Sequence, residues 1–228
     1  MKQIIGLVIV FVFIACKGDG DGGGGGSPSG PPPVIDSLPI HISSYNSGTG
    51  LAGDVDFTHS ELGSTDKIVL EFNGILIDGG TPPGGIRLPH FTFNLPSGVD
   101  VFAMGAGTVT YVALNNNHPD YEVRIRSAEN SNYTYTYDHL LNPTVIVGDV
   151  VNGGDKIGET SNTKFEADIA SGNTAYCPTD LFDEAVASTL ESKLTTLFSD
   201  WETYKVDTTI YDESTQHNIG CATETGDL

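Results

Sequence analysis

The sequence predicts a mainly β domain, with an antiparallel β-sheet or sandwich as its core and a helical extension at its C-terminal end. Residues 122–126 alternate polar and apolar side chains, and residues 133–137 alternate tyrosine with threonine, a pattern typical of strands with one buried face. No run with the period of a helix interrupts residues 99–151, so these strands should pair antiparallel rather than alternate with helices. From residue 182 to residue 204, apolar side chains recur at steps of three and four, which predicts an amphipathic helix.

The N-terminal end has the pattern of an export signal, because Lys2 is followed by an apolar run that is too short to cross a bilayer. Residues 13–16 resemble the lipobox of bacterial lipoproteins, which ends in the cysteine that is acylated, here Cys16. Residues 16–33 are mostly glycine, aspartate, serine and proline, so they cannot bury enough apolar area to fold. We therefore expect a lipoprotein signal peptide at 1–15 and a flexible tether at 16–33. The alternative is an ordinary cleaved signal in which Cys16 has no role.

The rest of the chain divides into a β domain at 34–176 and a helical extension at 177–228. With Cys16 assigned to lipid, Cys177 and Cys221 remain, and an oxidising compartment outside the membrane favours a disulfide between them. Closing a loop of this length stabilises a fold by roughly 4 kcal/mol in the chain-entropy model. The disulfide would hold the helix against the domain; the alternative is a helix that binds a partner.

The charge of the chain excludes one class of partner. The formal net charge is -20, with only 10 lysine and arginine residues, so nucleic-acid backbones and anionic lipid surfaces would be repelled. We expect no nucleic-acid binding, and contact with a membrane only through the lipid on Cys16.

Three segments, in this order, carry the chemical information. The first is His90-x-x-x-Asn94, the second is Tyr-Asp-His139-Leu, and the third is Asn162-Thr-Lys164-Phe-Glu, which follows a glycine-rich run. This order resembles the lysostaphin/LytM-type zinc metallopeptidases, which cut peptide cross-links in the bacterial cell wall. The resemblance covers roughly residues 50–170. It implies a LytM-type fold, related to the duplicated-hybrid-motif and lipoyl-like folds.

The resemblance also implies the positions of the zinc ligands. In the family, a His-x-x-x-Asp pair and the second histidine of a His-x-His strand hold the metal. Here His90 is retained, but Asn94 occupies the aspartate position, and Asn162 and Lys164 occupy the two histidine positions. An amide oxygen is a weaker zinc ligand than a carboxylate, and a protonated lysine repels a cation. We therefore expect an empty zinc site and no cofactor.

Two further residues belong to the expected site. His139 matches the catalytic histidine of the family's Tyr-x-His-Leu motif, a role it would keep only in an active enzyme; otherwise it is a structural, hydrogen-bonded histidine. Strand alternation places Lys164 and Glu166 on one face and Phe165 on the other, so Glu166 should line the groove. We expect the ammonium of Lys164 to take over the cationic role of zinc, paired with Glu166.

These observations predict a lipid-anchored protein of the bacterial cell envelope, facing the periplasm or the cell surface. Its peptidase-like domain would be inactive and would bind peptidoglycan or regulate a cell-wall hydrolase. One alternative is an active zinc metalloendopeptidase that cleaves peptidoglycan cross-links, with zinc on His90, Asn94 and another ligand such as His139. A second alternative is a surface lipoprotein for adhesion or host contact.

Overall fold

The computed structural model describes residues 30–59, 65–76, 85–116, 118–161 and 164–223. The expected signal peptide, Cys16 and nearly all of the expected tether lie outside these residues, as does Asn162. No helix within the described ranges is long and apolar enough to cross a membrane.

Within the described residues the chain forms sixteen strands and one α-helix, besides short 3-10 turns. Seven strands come first: β1 (Leu51–Ala52), β2 (Val55–Asp56), β3 (Val69–Leu70), β4 (Ile75–Leu76), β5 (Ile86–Arg87), β6 (Phe91–Phe93) and β7 (Asp100–Phe102). The longer strands and their neighbours follow: β8 (Gly107–Leu114), β9 (Tyr121–Ser127), β10 (Tyr133–Leu141), β11 (Val150–Val151), β12 (Lys156–Thr160), β13 (Phe165–Ser171) and β14 (Thr174–Ala175). The helix and a last hairpin complete the chain: α1 (Ala187–Lys205), β15 (Gln216–Asn218) and β16 (Cys221–Ala222).

The central sheet has the strand order β11-β8-β9-β10-β13-β6-β3, and each pair of neighbours is antiparallel. Strand β12 pairs with both β10 and β7, so β7 is connected to the central sheet through β12. The prediction of a mainly β, antiparallel core with a C-terminal helix is therefore confirmed.

The two faces of the sheet differ as alternation predicts. On β10, Tyr133, Tyr135 and Tyr137 are at most 4% exposed; their large rings contribute much of the apolar area buried on folding. On β13, Phe165 and Ile169 point to the same core and are fully buried. The residues between them point to the other face, which is polar.

Strand β10 is irregular near its C-terminal end. Its pairing with β9 shifts between Tyr137 and Leu140, and His139 has a φ of 64°. A bulge re-aims side chains, and a positive φ is uncommon for a residue other than glycine. The backbone therefore turns the side chain of His139 away from the regular alternation of the strand.

The C-terminal helix starts later than the sequence predicts. It begins at Ala187 rather than near residue 182, because Phe182 is extended and forms a parallel bridge with Ile35. Asp183 stabilises the turn before the helix: its carboxylate accepts from the N–H of Ala185 at 2.7 Å, and its carbonyl accepts from the N–H of Ala187 at 2.8 Å. The N-terminal boundary of the helix was thus predicted wrongly, since a contact with a distant segment decides it.

The apolar stripe of the helix packs on the domain. Leu194, Leu197 and Trp201 are at most 1% exposed, and the ring of Trp201 packs edge-on against Phe57 at 5.1 Å. A disulfide joins Cys177 to Cys221, with their Cα atoms 5.9 Å apart. The apolar stripe of the helix therefore packs against other residues of the same chain.

The segment before the first strand lies along the domain. The hydroxyl of Tyr135 donates to the carbonyl of Val34 at 2.9 Å, and the N–H of Ile35 donates to the carbonyl of Leu181 at 2.6 Å. The chain therefore enters the fold near the start of β10, at the opposite end of that strand from His139.

Candidate functional site

A groove of about 640 Å³ lies over the polar face of β8, β9, β10 and β13. Asp138 and Glu166, which are directly opposite each other on β10 and β13, line one end. Arg126, which is opposite Thr134 on β10, lines the other end. Thr134 and Asp138 are four residues apart on one strand, so the two ends are separated by about 13 Å. The groove thus has an acidic end and a basic end.

Asp168 lies between the two ends, opposite Thr136 on β10. Burial raises the pKa of Asp168 to about 7, although a hydrogen bond with Thr136 opposes the shift. Burial also raises the pKa of Glu166, and the charges of His139 and Lys164 counteract it. The floor of the groove therefore holds carboxyl groups that are costly to ionise.

His90 precedes β6 and reaches the acidic end of the groove. Its Nε2 atom is 3.5 Å from Oε1 of Glu166 but is buried without a hydrogen-bond partner. Burial lowers the pKa of His90 to about 4, so its imidazole is neutral at neutral pH. A neutral imidazole has one nitrogen that can bind a metal or accept a hydrogen bond.

His139 is held by a buried carboxylate. Its Nδ1 atom is 2.9 Å from Oδ2 of Asp120, and the hydroxyl of Ser161 donates to the same oxygen at 3.1 Å. The amide of Asn115 donates to Oδ1 of Asp120 at 2.7 Å. A carboxylate on one ring nitrogen fixes the tautomer and direction of a histidine. His139 is therefore oriented by its surroundings.

The same network includes Asp138. The amide of Asn115 and the backbone N–H of His139 both donate to its Oδ1 atom, at 2.7 and 2.8 Å. The ring of His118 packs edge-on against that of His139, with centroids 5.2 Å apart. The sequence did not indicate Asn115, Asp120, His118 or Ser161 as site residues. The one available signal was the position of Asn115 and Asp120 in the turn between two predicted strands.

The residues at the expected ligand positions lie around the pair formed by Phe93 and Phe165. Asn94 directly follows β6 and Lys164 directly precedes β13, so both flank this pair. The Asn94 side chain is buried. The structure thus brings His90, Asn94, Lys164 and Glu166 to one end of the sheet, whereas Asn162 lies outside the described residues.

A catalytic zinc centre requires three protein ligands and an open position, and of the described residues His90, Asn94 and Lys164 only His90 is a usual zinc ligand. A protonated lysine has no lone pair to offer. Two groups of three potential ligands occur in the described part of the chain, and neither includes His90. One contains the disulfide cysteines with His217, and the other joins Asp120 and Asp138 to His139, which are already bound in the hydrogen-bond network above.

Comparison with known proteins shows that part of the chain is similar to one family. The model of peptidase family M23 matches residues 90–174. No curated protein sequence matches the chain.

Several solved structures are similar to it. LytU is 24% identical over 53% of this chain and 90% of its own, with a TM-score of 0.43. The solution structure of lysostaphin is 20% identical over 54% of this chain, with a TM-score of 0.41. The catalytic domain of the prophage-encoded protein EnpA from Enterococcus faecalis is 21% identical over 46% of this chain and 87% of its own, with a TM-score of 0.38. The chain spans about half of the lysostaphin structure, 53% of its length. Residues 90–174 of this chain are therefore similar to peptidase family M23.

Proposed function

We propose that this chain is a lipid-anchored protein of the cell envelope whose M23 domain binds peptide strands of peptidoglycan without cleaving them. The observation that carries the proposal is the environment of His90. At the family's ligand positions it is accompanied by Asn94 and Lys164, and its Nε2 atom lies 3.5 Å from Oε1 of Glu166.

The loss of ligands removes the usual source of catalysis in this family. A zinc ion with three protein ligands lowers the pKa of its bound water to about 7 and polarises the peptide carbonyl. An ammonium such as that of Lys164 offers charge but does not bind and activate water in this way. The residues that shape the groove do not depend on the metal, because β9, β10 and β13 hold them in register. Binding can therefore persist without hydrolysis.

The groove suits a polar peptide. Its floor carries the hydroxyl group of Thr136 between the two ends and that of Thr134 beside Arg126. Hydroxyl groups both donate and accept hydrogen bonds, as an extended backbone requires, and the charged ends fix the direction of a bound strand.

The anchor is part of the proposal. Lipid on Cys16 and a tether to residue 33 would hold the domain close to a membrane. Because Val34 docks at the end of β10 opposite His139, the tether would leave the acidic end of the groove uncovered.

Sedimentation with insoluble peptidoglycan tests the proposal. We expect the purified full-length chain to sediment with peptidoglycan and to release no soluble fragments, with or without added zinc. Arg126→Glu should weaken sedimentation, whereas Lys193→Glu, on α1 and outside the groove lining, should not. Failure to sediment would contradict wall binding. If a pull-down from envelope extracts with this chain then recovered a cell-wall hydrolase, regulation of that enzyme would be favoured instead.

A second candidate is an active metallopeptidase. The orientation of His139 by Asp120 favours it, because a catalytic histidine needs such a partner. It predicts release of peptidoglycan fragments that a chelator abolishes, an outcome that would overturn the first proposal.

A further inference from the structure

Three of the four most exposed large apolar side chains in the described residues lie close together in the sequence. Ile146, Val147 and Val150 are 70%, 60% and 77% exposed. They belong to β11 and to the turn before it, at one edge of the central sheet. The backbone N–H of Gly148 donates to the carbonyl of Val109 at 2.9 Å, so the turn lies against β8. A single exposed apolar residue is common, but a cluster of three indicates a contact surface.

This apolar patch, Ile146, Val147 and Val150, lies near the point where the N-terminal segment reaches the domain. β11 pairs with β8, and the same end of β8 pairs with Ser127 at the end of β9. Three residues after Ser127, the side-chain amide of Asn130 donates to the carbonyl of Pro31 at 2.8 Å. Because two strand spacings separate β11 from β9, the patch is about 10 Å from this strand end. The first described residues therefore dock at the same corner of the sheet.

The position of the expected anchor limits the distance between this corner and a membrane. Cys16 and Gly30 are 14 positions apart in the sequence, so their Cα atoms can be separated by at most about 50 Å. A lipid on Cys16 would keep the corner within that distance of the bilayer. Tethering also raises the effective concentration of the membrane at the patch, so that a weak contact becomes populated. The patch is thus well placed to touch the bilayer.

The size and charge of the patch favour a membrane over a protein as its partner. A stable protein interface buries about 800 Å² of each partner, and three side chains expose much less. The net charge of -20 opposes contact between two copies of the chain. Apolar side chains that enter the boundary between lipid headgroups and acyl chains need no complementary protein surface. A small contact is therefore sufficient when a lipid anchor supplies the rest of the affinity.

We propose that Ile146, Val147 and Val150 insert into the surface of the membrane to which the chain is anchored. This inference rests on the anchor in the proposed function and adds a second membrane contact to the lipid on Cys16. The contact is apolar, because the acidic chain gains nothing from anionic headgroups.

The patch also fixes the direction of the groove. Val150 is directly opposite Thr108, which is directly opposite Arg126, and directly opposite residues project from the same face of a sheet. The patch and the basic end of the groove therefore share one corner. With the patch in the membrane, the basic end lies near the bilayer, and the acidic end at Asp138 and Glu166 lies farther from it.

A fluorescent probe at one patch position tests the contact. Val147→Cys is labelled with an NBD dye in the processed, acylated chain, which is then reconstituted into phosphatidylcholine vesicles. Cys16 carries the lipid, and Cys177 and Cys221 form the disulfide, so the new thiol alone reacts. Leu114→Cys is the matched control, since Leu114 is 58% exposed at the other end of β8. We expect a blue-shifted emission at position 147 that a nitroxide-labelled lipid quenches, and emission as in water at position 114.

The outcomes separate the contact from the anchor. Flotation with the vesicles while both probes report water would overturn the contact and leave the anchor in place. Failure to float would overturn both. A blue shift at position 147 that grows with protein concentration and resists the lipid quencher would mean that a second copy covers the patch, which also contradicts the proposal. Ile146→Ser together with Val150→Thr should return the probe to its emission in water; a shift that survives both changes would assign the contact to another surface.

Discussion

Oδ2 of Asp120, in the turn before β9, lies 2.9 Å from Nδ1 of His139, in the bulge of β10. Asp120 is 1% exposed, and Ser161 and Asn115 donate to its two oxygens. A buried carboxylate is stable only when such donors surround it. The contact therefore serves the fold as well as the direction of His139.

This contact predicts the effect of Asp120→Asn. The variant replaces one acceptor oxygen by an NH₂ group, which faces the donors on Ser161 and His139. We expect a loss of about 1–3 kcal/mol in the free energy of unfolding, the cost of unsatisfied buried groups. Urea denaturation checks it, with Asp100→Asn as the control. Asp100 pairs with Lys156 at the surface, so that change should cost less than about 1 kcal/mol. Equal effects of the two changes would contradict a structural role for Asp120.

Asp168 makes the stability of the domain depend on pH. Burial raises its pKa to about 7, whereas an unfolded aspartate titrates near its ordinary value of about 4. Between these values the unfolded state holds fewer protons than the folded state, so stability falls as pH rises from about 4 to about 7.

Asp168→Asn should remove part of this fall, roughly 1–2 kcal/mol after allowance for solvent screening. The free energy of unfolding at pH 5 and at pH 7.5 gives the slope for each protein. Some slope should remain in the variant, since burial also raises the pKa of Glu166 and that of Asp36. An unchanged slope would mean that Asp168 ionises normally in the folded state.

The disulfide between Cys177 and Cys221 joins residues that are 44 positions apart in the sequence. Replacing both cysteines by serine should cost roughly 2–4 kcal/mol. Trp201 is the sole tryptophan and is 1% exposed, so its fluorescence reports whether α1 remains packed. We expect a lower unfolding temperature with unchanged native emission. A red-shifted emission before unfolding would show that the disulfide, rather than packing, holds the helix in place.

Restoring the family ligands should restore the metal. Lys164→His together with Asn94→Asp places an imidazole and a carboxylate at positions flanking the pair of Phe93 and Phe165. With His90 these supply three ligands, the number that a catalytic zinc requires. We expect the double variant to bind about one zinc per chain by elemental analysis, and each single variant to bind much less. Absence of zinc from the double variant would show that the scaffold has changed beyond the ligands.

The alternation of polar and apolar residues was sufficient to predict the sheet and the face of Glu166. It was sufficient because each long strand buries one face, so a period of two in the sequence becomes a direction in space. The apolar stripe of α1 could be predicted in a similar way, because a helix that buries one face repeats its apolar residues every three to four positions. The first residue of α1 was not, because the bridge between Phe182 and Ile35 depends on a segment far away in the chain.

The network around His139 could not be predicted in this way. Asp120 comes from a turn, His139 from a bulge, and Ser161 from the residue that follows β12. Neither turns nor bulges follow a simple period, so only the fold shows that these residues meet. The unpartnered Nε2 atom of His90 likewise appears only when burial is known.

The zinc content of the unmodified chain tests the central claim most directly. The full-length chain would be purified from zinc-supplemented medium without a metal-binding tag and measured by elemental analysis. We predict far less than one zinc per chain, because His90 is accompanied by Asn94 and Lys164 at the family's ligand positions. About one zinc per chain, lost on substitution of His90, would contradict the account and make cleavage of peptidoglycan the expected activity.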